Sequence, residues 1–528
     1  MRLRSGAELY FFVSRSISFL CCIFAQNNKI KTMRYLMTLL AAVLFFSCAT
    51  VKNGSEKIQP KREFRGAWIQ AVNGQFLGMN EEGMKNYLTT MLDNLQKVNV
   101  NAIIFQVRVE GDALYPSPYE PWSRYLTGVQ GKNPGWDPLA FMVTEAHRRN
   151  MELHAWINPY RARTKGTKAL ARNHQSVLNP KNFIEYEGQL YFNPSLQSNR
   201  DHICKIVTDI IARYDVDGIH IDDYFYPYPT KGKEFNDDKW FRNSGYENKA
   251  LWRRENVNKL IEQMHNCVRA QKPWIKFGVS PFGIYRNEKT WEWGSRTNGL
   301  QCYDDLNADV LHWIDNGWVD YCIPQIYWEI GHTAADYECL VEWWAKYAAK
   351  RPLYIGQDVN RTVKAQDAEN PARHQLVRKM DIQRSYAAVK GSCLWDAASA
   401  ANNVGSYRDI LAQNYHSYPA LMPAASFIDK KAPSKVKGVS VIDSDDGKVL
   451  VWLTEECDDV MNAPAKYVVY RFAKGEKVNI DSAKNIVAIT KNSYYRIPST
   501  ETGKVTYVVT VLDRLQNESK GVKCKVKF

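Results

Sequence analysis

The chain reads as an α/β protein, a (β/α)₈ TIM barrel followed by a small all-β sandwich, and three observations predict it. Apolar runs of strand length alternate eight times with amphipathic helical stretches between residues 65 and 414, the pattern of a parallel α/β domain and, at eight units, of a closed barrel. No G-x-G-x-x-G follows the first run, which removes the usual dinucleotide reading of an open doubly wound sheet. After Ala432-Pro433 the helical period stops and short β-branched and aromatic runs take over, as in a sandwich. With 528 residues, 45% of them hydrophobic and 12% aromatic, the chain can bury one large core and one small one.

The expected organisation is a leader over 1–47, a tether over 48–60, the barrel over 61–425 and the sandwich over 430–528. Met33 and Arg34 open an apolar run over 35–46 that ends in Ser47 and Cys48. This resembles a bacterial lipoprotein signal, with lipid joined to Cys48 and the mature chain held on an envelope membrane. An earlier apolar patch over 9–25, broken by Arg15, is read as sequence upstream of a start at Met33. The competing expectation is an uncleaved anchor, although the run is short for a span of about 20 residues.

The formal net charge of +14 is unevenly spread. Residues 1–47 hold six basic side chains and one acidic, and 430–528 hold eighteen against twelve. The barrel is therefore nearly neutral, so nucleic acid is not an expected partner, while the basic sandwich suits an anionic envelope surface. Cys204, Cys267, Cys302, Cys322, Cys339, Cys393, Cys457 and Cys524 follow Cys48 without C-x-x-C spacing, and no zinc cluster is expected. An even number permits disulfides in an exported chain. Cys322 and Cys393 fall inside expected strands and are read as buried thiols.

Taken in order, strands are expected over 65–70 and 102–109, with a helix over 80–98 between them. Arg108 and Glu110 share the parity of Gln106 and so face inward. A loop rich in Tyr, Pro and Trp follows, of a length that usually carries function. Next come a helix over 138–149, a third strand over 152–157 with His154, Trp156 and Asn158 on one face, an irregular stretch over 159–194 and a helix over 195–214. The fourth strand lies in DGIHIDDYFYPY, residues 217–228, where Ile219 and Ile221 face the helices and His220 and Asp222 face the barrel interior. Helices over 246–270, 305–316, 334–349 and 370–389 alternate with strands over 276–280, 321–327, 353–355 and 391–395. In the sandwich, strands are expected over 439–442, 449–453, 466–471, 486–489, 494–497 and 505–512. There Trp452, Tyr467, Tyr470 and Tyr507 resemble the core of a fibronectin type III module.

Eight segments, RGAWIQ, NAIIFQVR, YPSPYEPWS, HAWINPYR, NPSLQSNR, DVDGIHIDDYFYP, FGVSPFGIYRN and YCIPQIYWE, resemble glycosyl-hydrolase-like family 10 of bacterial envelope proteins over roughly 62–414. The resemblance implies a (β/α)₈ fold, glycosidase activity and an envelope location; some members of the family cleave peptidoglycan glycan strands stripped of their stem peptides.

Glycoside hydrolysis needs a proton donor for the leaving oxygen and a second carboxylate that acts as nucleophile or activates water. Candidates belong at the carboxyl ends of barrel strands. Asp222 meets that condition on strand four and is expected as the principal carboxylate. Glu329, which shares parity with Gln325 and Tyr327 on strand six, is expected as its acid/base partner. Asp223 is expected to hold or tune one of them, with Glu110 in reserve. Two carboxylates packed this closely raise one pKa, as a general acid at neutral pH requires. Expected substrate contacts are Asn158, Tyr160, Arg161, Arg108, His154, His220, Tyr224, Gln325, Tyr327, Trp328, Trp395 and Asp396, with Trp122 and Tyr226 as further rings for an aromatic floor. Tyr224 stands where a family-18 chitinase has its catalytic Glu, so that substrate-assisted mechanism is not supported. No cofactor is expected, and His154 and His220 are read as hydrogen-bonded interior residues. The competing expectations are a glycan-binding lipoprotein without turnover, and a metal-dependent hydrolase using His154, His220, Asp222 and Asp223. The blander readings are helix caps for Asp222 and Asp223 and a salt bridge between Glu110 and Arg108.

Overall fold

The computed structural model describes residue 57 and residues 59–528, so the leader and Cys48 lie outside the described residues. Residues 59–528 belong to one compact unit. Its first part is a closed barrel of eight parallel strands: β1 Phe64–Ile69, β2 Ala102–Arg108, β3 Glu152–Ile157, β4 Gly218–Ile221, β5 Lys276–Val279, β6 Tyr321–Cys322, β7 Leu353–Asp358 and β8 Val389–Trp395. Each strand pairs with its neighbours in sequence, and β8 closes on β1. The outer helices are α1 Glu81–Gln96, α2 Pro138–Arg148, α3 Gln197–Arg213, α4 Lys249–Gln271, α5 Val310–Asp315, α6 Tyr337–Tyr347, α7 Leu376–Ser385 and α8 Tyr407–Asn414.

The strands β1, β2 and β3 are buried along their whole length because helices cover one face and barrel-filling side chains the other. Aromatic rings fill the interior: Phe64 stacks on Tyr354 at 4.0 Å, and Tyr321 lies against both. Gly278 makes room for that ring, since a Cβ there would come within 2.0 Å of Tyr321. Helix starts are set locally. Asn80, Asp137 and Asn248 each accept a backbone N–H from the first turn of the helix that follows.

Several elements differ from the sequence reading. The regular ladder of β6 ends at Cys322, and Pro324 has no N–H to donate; beyond it Gln325 meets the sheet through isolated bridges to Phe282 and Gly356. The stretch after β3 is a three-stranded antiparallel sheet of Arg161–Arg163, Phe183–Tyr186 and Gln189–Phe192. Ser195 does not cap α3; its hydroxyl donates to Asn193 Oδ1 at 2.8 Å. A hairpin of Gln366–Asp367 and Asn370–His374 precedes α7, and β7 runs three residues further than expected.

The sandwich packs β9 Lys437–Ser444, β10 Gly447–Leu453 and β13 Tyr494–Arg496 against β11 Lys466–Ala473, β12 Ile486–Thr490, β14 Lys504–Leu512 and β15 Val522–Lys527. Trp452, Tyr467 and Tyr507 lie in its core. The sandwich covers the amino-terminal end of the barrel strands: Gln516 Nε2 donates to Glu152 Oε1 at 3.0 Å and Lys466 Nζ to the Asn150 carbonyl at 3.1 Å. The described cysteines are free thiols, those of Cys322 and Cys393 fully buried. Among the described residues, no helix is long and apolar enough to cross a membrane.

Candidate active site

The carboxyl end of β4 delivers two adjacent carboxylates into the barrel mouth. Asp222 is 3% exposed and Asp223 4%. Trp156 Nε1, from β3, donates to Asp222 Oδ2 at 3.2 Å; Asn158 Nδ2 reaches both oxygens at 3.1 Å, and the Tyr224 N–H reaches Oδ1 at 3.4 Å. Asp223 accepts from the Tyr228 hydroxyl and from Gln325 Nε2 at 3.0 Å. Gln325 also donates to the Ser280 carbonyl at 2.9 Å, which fixes the chain beyond Pro324 against β5. Every bonded donor to the pair is neutral. The nearby cation is Arg161, whose guanidinium lies 4.7 Å from the centre of the Tyr224 ring.

Burial, and then the charge of Asp223, pushes the Asp222 carboxyl up to about 7, against the pull of Arg161 and the Asn158 bond. Burial raises Asp223 as well, partly offset by Tyr228 and Gln325. Two close carboxylates without a bonded cation therefore hold a proton into the neutral range. The Trp156 ring that bonds Asp222 belongs to an aromatic cluster: Trp395 meets Trp156, Trp68 and Tyr327, with ring centres 6.2, 6.3 and 6.3 Å apart, and Tyr327 lies nearly parallel to it. Faces of this kind suit sugar rings.

Glu329 follows β6 and is half-buried. Among the described residues its carboxylate makes no hydrogen bond or ion pair, so it is available to a ligand. The segment that carries it is anchored by Lys379, whose buried Nζ donates to the Trp328 carbonyl at 2.8 Å and to Thr362 Oγ1 at 3.1 Å. Burial pushes this lysine down to about 7, against the charges of Asp358 and Glu329.

Other expected site residues are placed elsewhere. Glu110 is fully buried and accepts from Arg124 Nε at 3.0 Å, the Thr164 N–H at 2.9 Å and Thr167 Oγ1 at 2.7 Å. Against burial, those bonds hold its carboxyl below its ordinary value, so Glu110 is a structural acceptor and its partner is Arg124, not Arg108. Arg108 pairs with Glu120, with NH2 to Oε1 at 2.7 Å, and braces the Asn158 and Pro159 carbonyls. Asn158 therefore positions Asp222 rather than facing a sugar. Tyr160 and Tyr226 are packed inside the wall. Asp396 caps the short helix Ala397–Ala401 through the Ser399 N–H at 2.7 Å.

His154 and His220 lie below the mouth in a polar column. His220 Nδ1 and His154 Nδ1 sit 3.0 and 2.7 Å from the Tyr321 hydroxyl, and His154 Nε2 lies 3.0 Å from Glu152. They are core residues and not substrate contacts. Among the described residues, no three His, Cys, Asp or Glu side chains form a set that could hold a metal ion.

Three residues outside the expected set touch the site: Trp156 and Tyr228 bond the carboxylates, and Trp68 donates to His220 Nε2 at 3.3 Å. Asp358, at the end of β7, caps the helix Val359–Lys364 through the Arg361 N–H at 2.8 Å, and burial raises its carboxyl. Asp358 shares the parity of Tyr354, and a longer seventh strand in the sequence reading would have exposed it.

A closed parallel barrel with paired buried carboxylates beneath an aromatic mouth has the architecture of a glycoside hydrolase. The comparisons agree and narrow the class. Residues 63–372 match Glycosyl hydrolase-like 10, and the chain belongs to that family. Glycosyl hydrolase YngK of Bacillus subtilis is 38% identical over 507 residues, spanning 94% of this chain and 98% of its own. Glycosyl hydrolase DigH of Escherichia coli is 32% identical over 415 residues, 71% of this chain and 94% of its own. Among solved structures, the catalytic domain of a β-amylase from Paenibacillus polymyxa superposes with a TM-score of 0.45 at 9% identity, covering 68% of this chain and 99% of that one.

Proposed function

We propose that this glycosidase cleaves a bacterial cell-envelope polysaccharide, namely peptidoglycan glycan strands lacking stem peptides, from an envelope membrane to which lipid on Cys48 tethers it. The observation that carries the reading is the buried Asp222–Asp223 pair, bonded by Trp156, whose ring belongs to the cluster with Trp395 and Tyr327. Asp222 is the principal carboxylate, acting on the anomeric carbon directly or through water. Glu329, whose carboxylate is unengaged among the described residues, gives its proton to the leaving oxygen. Asp223, held by Tyr228 and Gln325, adds negative charge where an oxocarbenium-like transition state develops positive charge. The substrate class is supported by the resemblance to the envelope family and by Arg161. Its terminal nitrogens have no hydrogen bond among the described residues, and it suits the free carboxylate that a muramic acid unit shows once its peptide is gone.

The test is a digestion panel read as new reducing ends. Stripped glycan strands are expected to be cut and peptide-bearing peptidoglycan to resist. Retention of stripped strands without new reducing ends would favour the binding-protein reading, and equal cutting of peptide-bearing material would overturn the substrate assignment.

A further inference from the structure

A second cavity, of about 350 Å³, opens on the outer flank of the barrel between the starts of α3 and α4 and the helical turn Asp238–Arg242. None of the residues that line it belongs to the Asp222 cluster, and its chemistry differs. Arg200, Lys239 and Lys259 line it together with Trp240 and Trp252, and no carboxylate does. Among the described residues neither lysine makes an ion pair.

Two of the lining groups are buried donors without acceptors. Arg200 is 6% exposed; its terminal nitrogens donate to the Pro194 carbonyl at 2.9 Å and to Gln197 Oε1 at 2.8 Å, but its Nε has no partner. Asn256 is 4% exposed, and its Nδ2 lies beside the Tyr226 hydroxyl without closing a bond to it. Buried polar groups are normally satisfied. Arg200, Lys239 and Lys259 thus bring three positive groups to one cavity with no carboxylate in its lining, and the ligand that answers them is an anion with more than one acceptor oxygen. The half-buried Trp240 indole at the wall adds a surface for the apolar face of a ring.

We infer that this cavity is an accessory site for a carboxylate-bearing sugar unit of the glycan, holding a strand while another part of it occupies the mouth. The choice of sugar rests on the substrate reading above, whereas the preference for an anion rests on the cavity alone. Lys239 and Lys259 are exposed, so replacing them leaves the fold intact.

The experiment measures binding to the full chain carrying Asp222→Asn, with and without Lys239→Ala and Lys259→Ala together. The probes are stripped glycan oligomers, chitin oligomers of equal length and inorganic phosphate. The expected result is a roughly tenfold loss of affinity for the stripped oligomers in the lysine variant, at most a small change for chitin oligomers, and salt sensitivity that falls with the lysines removed. In the catalytically intact chain the same lysine changes should raise KM for long stripped strands and leave kcat unchanged. Unaltered affinity for stripped oligomers would overturn the site. Lysine-dependent binding of phosphate without preference for stripped over chitin oligomers would overturn the sugar assignment in favour of a simple anion site. Because binding is read without turnover, failure of the cleavage assay leaves this result separately readable.

Discussion

Both ends of the barrel bury charge, and they do so in opposite ways. At the floor, Glu152 is met by Lys276 Nζ at 2.7 Å, His154 at 3.0 Å and Gln516 of the sandwich at 3.0 Å. Asp217 is met by His147 and the Leu153 N–H, each at 2.8 Å, with Lys466 of the sandwich nearby. Burial alone would raise these carboxyls; the Lys276 charge on Glu152 and the His147 bond on Asp217 outweigh it and hold both below their ordinary values. At the mouth, Asp222 and Asp223 are equally buried but bonded only by neutral groups, and both are pushed up. A completed set of partners fixes a region, and an incomplete one keeps a reactive group poised for a ligand. The floor holds the two domains together, and the mouth is left for chemistry.

The largest expected effect breaks the mouth. Asp222→Asn should lower reducing-end release by on the order of 10³ or more while the protein stays folded, whereas Glu152→Gln at the floor should leave kcat within about twofold. Glu329→Gln comes next, with a loss of about 10² on natural glycan and a smaller one on an activated aryl glycoside, whose leaving group needs no proton. Equal losses on both substrates would remove Glu329 from the acid role.

A smaller effect sharpens the comparison by titration. Asp222 acts ionised and its carboxyl lies near 7, so activity should rise with pH through that region. Asp223→Asn removes a charge that keeps Asp222 protonated, and the acidic limb of the kcat/KM profile should move to lower pH. A limb that stays in place would mean that burial alone sets the value. The smallest effect concerns Lys379: replacing it with Met removes the bond to the Trp328 carbonyl, and KM should rise severalfold as the Glu329 segment loosens, with little change in the apparent pKa of Asp222.

Much of this layout is legible in the sequence. Full burial on two faces makes the strands of the first half readable as apolar runs, and parity alone aims Asp222 inward. Parity has two blind spots, however. It states that Glu110, His154 and His220 point inward, but not that the space before Glu110 is filled by Thr164 and Thr167 from a distant loop, nor that the two histidines lie a layer below the mouth. It also needs a continuous strand, and past Pro324 there is none, so the position of Glu329 follows from Gln325 and Lys379 instead. The last sandwich strand, VKCKVK, is not legible as a strand because its outward lysines dilute the apolar signal.

The contrast between floor and mouth is tested most directly by unfolding free energy at pH 8. The Asp222 carboxyl is raised from 3.8 to about 7, so its stabilising contribution is present at low pH and lost as pH climbs to that value. At pH 8 the folded chain carries the Asp222 charge buried against a second carboxyl group. Asp222→Asn should therefore stabilise the protein at pH 8, by up to about 4 kcal/mol less the weakened bonds, with the gain shrinking toward pH 5. Glu152 is lowered, so its contribution is fully present at pH 8, and Glu152→Gln should destabilise by roughly 3–5 kcal/mol by leaving Lys276 unpaired. Opposite signs for the two variants are the predicted result, and a loss of stability in both would contradict the account.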